Sequence, residues 1–266
     1  MTNQSRESIE VAGRRRSYLR VTPAAPRPDA PLLLALHGTS QQGRTMQRFS
    51  GRTLDALAER IGADLVYLDG YGRAWNDART QKLSKAQKAE IDDVAFVSAV
   101  VARFDRPAFA VGYSNGGQLL HRVLREKPAL LAGATVIAAG LPVDDDFMFV
   151  GVEPGAVPVL LVHGTADPIV PYEGGTPRML GRATRGKVQS APATARIYAR
   201  DGEPVIRRDG DVERADWDSV RFITQFGTGH VIPNRRTSPF PPVVGPSHHD
   251  IDLGEEIESF FGLARR

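Results

Sequence analysis

The stretch Ala108-Phe109-Ala110-Val111-Gly112-Tyr113-Ser114-Asn115-Gly116-Gly117 decides how this chain is read. Its first half is a short apolar run, which predicts a buried strand over Ala108–Tyr113, and a helix is expected to begin near Asn115. At the junction, Gly112-Tyr113-Ser114-Asn115-Gly116 matches G-x-S-x-G. A turn that carries a strand directly into a helix strains the backbone of its central residue. Glycines on either side remove the side chains that would collide there. The helix behind Ser114 aims its free N–H groups at negative charge developing beside the hydroxyl. The competing reading is an ordinary glycine-rich turn with an incidental serine; the strand before it and the helix after it argue against that.

The same alternation continues outward. Pro31–His37 and Asp64–Asp69 are short apolar strands, as are Gly133–Ala139 and Pro158–His163, and Trp217–Phe226 is the last strand. Apolar residues at three- and four-residue steps predict helices over Phe49–Ile61 and Ile91–Phe104. Ser190 caps a helix over Ser190–Arg200, and Asp252 with Glu255 opens another over Asp252–Leu263. Repeated β-then-α order means an α/β fold: a mostly parallel sheet with helices on both faces. The Pro/Gly-rich stretches at 22–31, 171–187 and 233–247 are loops, and none divides two alternating blocks. A single domain over residues 1–266 is therefore expected. The segment between the strands at 133–139 and 158–163 is short, so no large lid domain is expected, and an open site suits a bulky or polymeric substrate.

Composition narrows the function. The 266 residues carry 34 basic and 31 acidic side chains, a net charge of only +3, which does not make the basic stripe a nucleic-acid partner requires. Arg14-Arg15-Arg16 is read as a solvated hairpin edge. The absence of cysteine excludes disulfides, a thiol nucleophile and thiolate metal sites. Met1–Glu10 has no apolar core like a leader's, and no stretch reaches the length that spans a bilayer. A soluble, cytoplasmic protein with no membrane partner is the expectation. Neither H-E-x-x-H nor a Gly-x-x-x-x-Gly-Lys loop is present, which disfavours a metal enzyme or a nucleotide binder.

A reactive serine needs a base and an acid, expected downstream in the order serine, acid, histidine. His230, in Gly227-Thr228-Gly229-His230, follows the last strand and is the candidate base; His37, His121 and His163 lie elsewhere in the order. His248 and His249 read as surface residues, with a weak metal-site alternative beside Asp250. Asp167 follows Pro158–His163 by a few residues and is the candidate acid; Asp144, Asp145 and Asp146 compete one strand earlier but read as a solvated charge run. His37-Gly38-Thr39 ends a buried strand, so the backbone N–H groups of Thr39 and Asn115 are candidates for an oxyanion hole. Trp75 is a candidate wall of the substrate pocket, with a loop-anchoring role equally open.

The segments LLLALHG, YLDGYGRAWND, IDDVAFVSAVV, AVGYSNGG, VPVLLVHGTADPIVPYEGG and GTGHVIPN occur here in the order found in polyhydroxybutyrate depolymerases and feruloyl/acetylxylan esterases. From about Tyr18 to Phe261 the chain resembles that group of α/β-hydrolases. The resemblance implies a serine esterase acting on a carboxylic ester without a cofactor, with Ser114 as nucleophile, Asp167 as acid and His230 as base. Asp92 and Asp93 match the group's acidic pair at a helix start, for which a structural role is expected. The chain departs from many members at Thr39, where they carry a cysteine, and after His230, where many depolymerases carry a tryptophan two residues on. A peptidase or amidase on the same scaffold, and a catalytically silent binding module, are the alternatives.

Overall fold

The structure, a computed structural model, describes residues 3–179, 182–184, 186–236 and 242–264. In chain order the elements are β1 (Asn3–Val11), β2 (Arg14–Thr22), β3 (Leu32–Leu36), α1 (Gly43–Phe49), α2 (Thr53–Ile61), β4 (Asp64–Leu68), α3 (Lys85–Lys88), α4 (Asp93–Phe104), β5 (Ala108–Tyr113) and α5 (Asn115–Glu126). There follow β6 (Gly133–Ile137), β7 (Val159–Gly164), the two-residue strands β8 (Arg178–Met179) and β9 (Arg182–Ala183), α6 (Ala191–Ala199), β10 (Val205–Asp209), β11 (Val212–Asp216), β12 (Val220–Gln225) and α7 (Leu253–Phe261).

Ten strands form one sheet in the order β1-β2-β4-β3-β5-β6-β7-β12-β11-β10. The six from β4 to β12 are parallel, and an antiparallel pair closes each edge. Every residue of β3, β4, β6 and β7 is buried, because helices cover both faces and successive side chains alternate between them. In β3, Leu32, Leu34 and Leu36 face α4, α5 and α6, while Leu33 and Ala35 face α1, α2 and α7. This is the α/β-hydrolase architecture, with no large lid domain. No described helix is long and apolar enough to cross a membrane.

Three expectations change. The helix expected over Phe49–Ile61 is two, broken at Gly51 and Arg52, which have φ of 60° and 59°. A side chain at 51 would meet Asn234 Oδ1 at 2.4 Å, so the chain turns there instead of continuing the helix. The β10–β11 hairpin was not anticipated; it extends the sheet beyond the last parallel strand, which is itself shorter than Trp217–Phe226. Arg16 is not solvated. Its guanidinium is buried 2.6 Å from Asp93 Oδ1 and 4.2 Å from the centre of the Phe96 ring. Asp93 in turn accepts the Asn76 N–H at 2.7 Å, so the pair pins the loop after β4.

Candidate active site

Ser114 joins β5 to α5 with φ 53° and ψ −115°, a conformation that costs a non-glycine residue of order 1–3 kcal/mol. Neighbouring packing enforces it. A Cβ on Gly116 would stand 2.1 Å from the Leu36 carbonyl oxygen, and one on Gly112 would stand 2.5 Å from that of Gly116. Only glycines let the first turn of α5 lie against the ends of β3 and β5. No side chain caps α5, so the N–H groups of its first turn are free for a ligand. Ser114 Oγ makes no hydrogen bond among the described residues.

The candidate acid and base meet at the same end of the sheet, beyond β7 and β12. Asp167 Oδ1 accepts the backbone N–H groups of Ile169 and Val170, each at 2.8 Å. Its Oδ2 accepts His230 Nδ1 at 2.6 Å, with His163 Nε2 at 3.3 Å. Burial by itself would raise this carboxyl, but the charges and hydrogen bonds of His230 and His163 hold it well below the usual carboxylate range. With Nδ1 donating to a carboxylate, His230 keeps its lone pair on Nε2. Tyr113 ties this pair to the turn: its hydroxyl donates to the His230 carbonyl at 2.8 Å, and its ring centre lies 5.0 Å from the imidazole.

The opposite side is built on His37. Gly70 N–H donates to His37 Nε2 at 2.9 Å, which fixes the tautomer, so Nδ1–H donates to the Gly38 carbonyl at 2.7 Å. Burial pushes this imidazole down to about 4, and it stays neutral. Trp75, for which a pocket wall and a loop anchor were equally open, is fully buried and is not among the residues lining the cleft. Its indole N–H donates to the His37 carbonyl at 2.8 Å, its ring centre lies 4.8 Å from that of His37 with the planes tilted by 37°, and its backbone N–H donates to Asn115 Oδ1 at 2.8 Å. Asn115 Nδ2 donates to buried Asp77, which also takes Gln87 and Arg79. The loop after β4 is thus bolted by hydrogen bonds to Asn115 and to His37, two residues before Thr39.

Ser114, Thr39 and Asn115 line one cleft, whose far wall comes from the loop after β7. The structure therefore brings Ser114 together with Thr39 and Asn115, and Asp167 with His230, at one rim of the sheet; Trp75 supports that rim from behind. Arg79, Gln118 and Arg178 also line the cleft and had no sequence signal. His163 was passed over, although its place four residues before Asp167, at the end of a buried strand, was a usable sign. Asp146 accepts the backbone N–H of Lys187 at 2.5 Å, while Asp92 caps α4 by accepting the Ala95 N–H at 2.8 Å. His249 Nδ1 donates to the Asn234 carbonyl at 2.7 Å.

No protein-family model matches the chain. Among curated proteins it is 31% identical over 293 aligned positions, covering 97% of this chain and 82% of the other, to a Nocardia uniformis subsp. tsuyamanensis protein named "Putative esterase NocK". Among solved structures, acetyl xylan esterase from Aspergillus awamori superposes with a TM-score of 0.63 over 98% of this chain and 100% of that one, at 14% identity. Est1E from Butyrivibrio proteoclasticus superposes with a TM-score of 0.54 over 85% of this chain and 90% of that one, also at 14% identity. The structural likenesses carry the fold, and the sequence likeness runs nearly end to end: the chain belongs to the esterase family of α/β-hydrolases that includes the Nocardia protein.

Proposed function

We propose that the chain hydrolyses carboxylic esters through an acyl-enzyme formed on Ser114. The observation that carries this is a strained serine at a β–α junction, at the same rim of the sheet as a buried carboxylate–imidazole pair. Ser114 Oγ bonds to the ester carbonyl carbon as His230 Nε2 takes its proton. The tetrahedral oxyanion accepts the backbone N–H groups of Thr39 and Asn115, each such donor being worth ~10²–10³ in turnover. Collapse breaks the bond to the alcohol oxygen, which leaves with the proton from His230. Water, deprotonated by the same imidazole, then releases the acid and restores the serine. Asp167 orients the ring and compensates its transient positive charge.

The sequence resemblance and the acetyl xylan esterase fold make acetyl, feruloyl and hydroxybutyrate esters the first substrates to try. An amide substrate would use the same machinery against a poorer leaving group, and no feature of the cleft favours it. The test is steady-state hydrolysis of 4-nitrophenyl butyrate. Ser114→Ala should lower kcat by about 10⁴–10⁶-fold while leaving the fold intact by circular dichroism. Wild-type turnover in the folded Ser114→Ala protein would reject the proposal.

A further inference from the structure

The cleft beside Ser114 carries charge that ester hydrolysis does not need. Arg79 and Arg178 both line it, and no acidic side chain does so among the described residues. Arg79 is mostly buried and its fork is fixed: Nε and Nη2 donate to Asp77 at 3.1 and 2.6 Å. Nη1 has no acceptor among the described residues. Its backbone is fixed as well, bridged to Phe147 and hydrogen bonded to Asp77 through its own N–H at 3.0 Å. Arg178 rises from the opposite wall, where its backbone N–H donates to the Ile169 carbonyl at 2.7 Å, two residues beyond the candidate acid. Asp77 offsets the Arg79 guanidinium, and Asp167 is engaged by His230 and His163 behind the wall. Arg178 forms no ion pair among the described residues, so the charge presented on the cleft surface is cationic. Gln118 adds a second polar mark: its Nε2 donates to the Gly140 carbonyl at 2.6 Å, which leaves Oε1 buried at the cleft without a donor. A pocket for a plain alkyl chain would carry neither feature, because each costs desolvation that an apolar ligand cannot offset.

Resting on the esterase reading above, we infer that the preferred substrate is an ester bearing a free carboxylate close to the scissile bond, held between Arg79 and Arg178. A guanidinium with an unused edge matches a carboxylate in shape and charge, and one already locked by Asp77 loses little freedom on binding it. Arg79 also touches Asp77, which orients Asn115, so a purely positioning role has to be separated from recognition. A positioning role would affect all esters alike; recognition affects only the charged ones.

The experiment compares mono-4-nitrophenyl glutarate with 4-nitrophenyl valerate, which match in chain length and leaving group, and adds 4-carboxyphenyl butyrate against phenyl butyrate to place the acid on the alcohol side. The expected result is a higher kcat/KM for one acid than for its neutral counterpart. That ratio should fall about 10–100-fold in Arg178→Gln and in Arg79→Gln, chiefly through KM. Arg178 is exposed, so its variant keeps the test decisive if Arg79→Gln fails to fold. Ser114-dependent turnover of the neutral esters with no preference for either acid would overturn the inference and leave the esterase reading standing. So would an equal loss on all four esters in both variants. If no ester is turned over in a Ser114-dependent way, both readings fall together.

Discussion

Two buried histidines sit at the same end of the sheet, and burial is resolved differently at each. His37, after β3, bonds only to a backbone carbonyl and a backbone N–H, so the low-dielectric surroundings drive it to its neutral form. His230, after β12, bonds through Nδ1 to Asp167, so a proton arriving on its other nitrogen meets a compensating charge. One imidazole is a strut and the other can work as a proton carrier. The difference between these two lies in the carboxylate that shares the His230 hydrogen bond and is missing at His37, since an uncompensated buried charge costs several kcal/mol.

The comparison breaks most severely at the carboxylate. Asp167→Asn turns the partner into one that can favour the wrong tautomer, and kcat on 4-nitrophenyl butyrate should fall about 10⁴-fold with little change in KM. A loss below tenfold would mean that His230 does not depend on its acid.

On the His37 side the largest effect falls on stability. Arg16→Ala leaves Asp93 buried without its partner and should cost about 3–5 kcal/mol in chemical denaturation. Arg16→Met, which also leaves the carboxylate unpaired, should differ from it by less than the pair itself is worth. A cost under 1 kcal/mol for Arg16→Ala would show that the loop after β4 is held by other means.

The two histidines were not equally visible in the sequence. His230 stood out because it follows a strand in a glycine-flanked loop and comes third in the required order. His37 looked like the end of a strand, and nothing local showed that its carbonyl receives the Trp75 indole across the loop after β4. The same limit explains Arg16 and Arg79: local sequence marks an arginine as exposed, and only a distant carboxylate brings it inside. The buried strands were legible because apolar residues on both faces leave a continuous run. The β10–β11 hairpin was missed although Asp209-Gly210-Asp211 gave a turn signal with Gly210 at φ 57°, because all five residues of β10 are exposed and no apolar periodicity marks them. The break at Gly51 and Arg52 falls where the apolar step widens to five residues, from Phe49 to Leu54, and the regular spacing of Leu54, Leu57 and Ile61 beyond it masks that one irregular step.

Acid titration sharpens the contrast further. His37 is depressed from 6.5 to about 4, so the folded state binds fewer protons than the unfolded one in that interval. Its contribution is fully present above pH 6.5 and is lost as pH falls through 4, a swing of about 3 kcal/mol for 2.5 units. His121, buried against Tyr198 and the Ala139 carbonyl and pushed to about 3, adds to the same side. Thermal unfolding should therefore show Tm declining from pH 6.5 towards 4, less steeply in His37→Gln. A flat Tm across that window would contradict a neutral His37. The smallest expected effect is Trp75→Phe, which removes the donor to the His37 carbonyl. It should cost about 1–2 kcal/mol in stability and lower kcat roughly tenfold by loosening the Thr39 turn.

The most direct test is stoichiometric labelling by a fluorophosphonate, followed by intact and peptide mass spectrometry. The wild type should gain one adduct, on the peptide containing Ser114, and His230→Ala should label at least ~10³-fold more slowly. An adduct on any other residue, or an undiminished rate in His230→Ala, would contradict the assignment of Ser114 as a nucleophile activated by the His230–Asp167 pair.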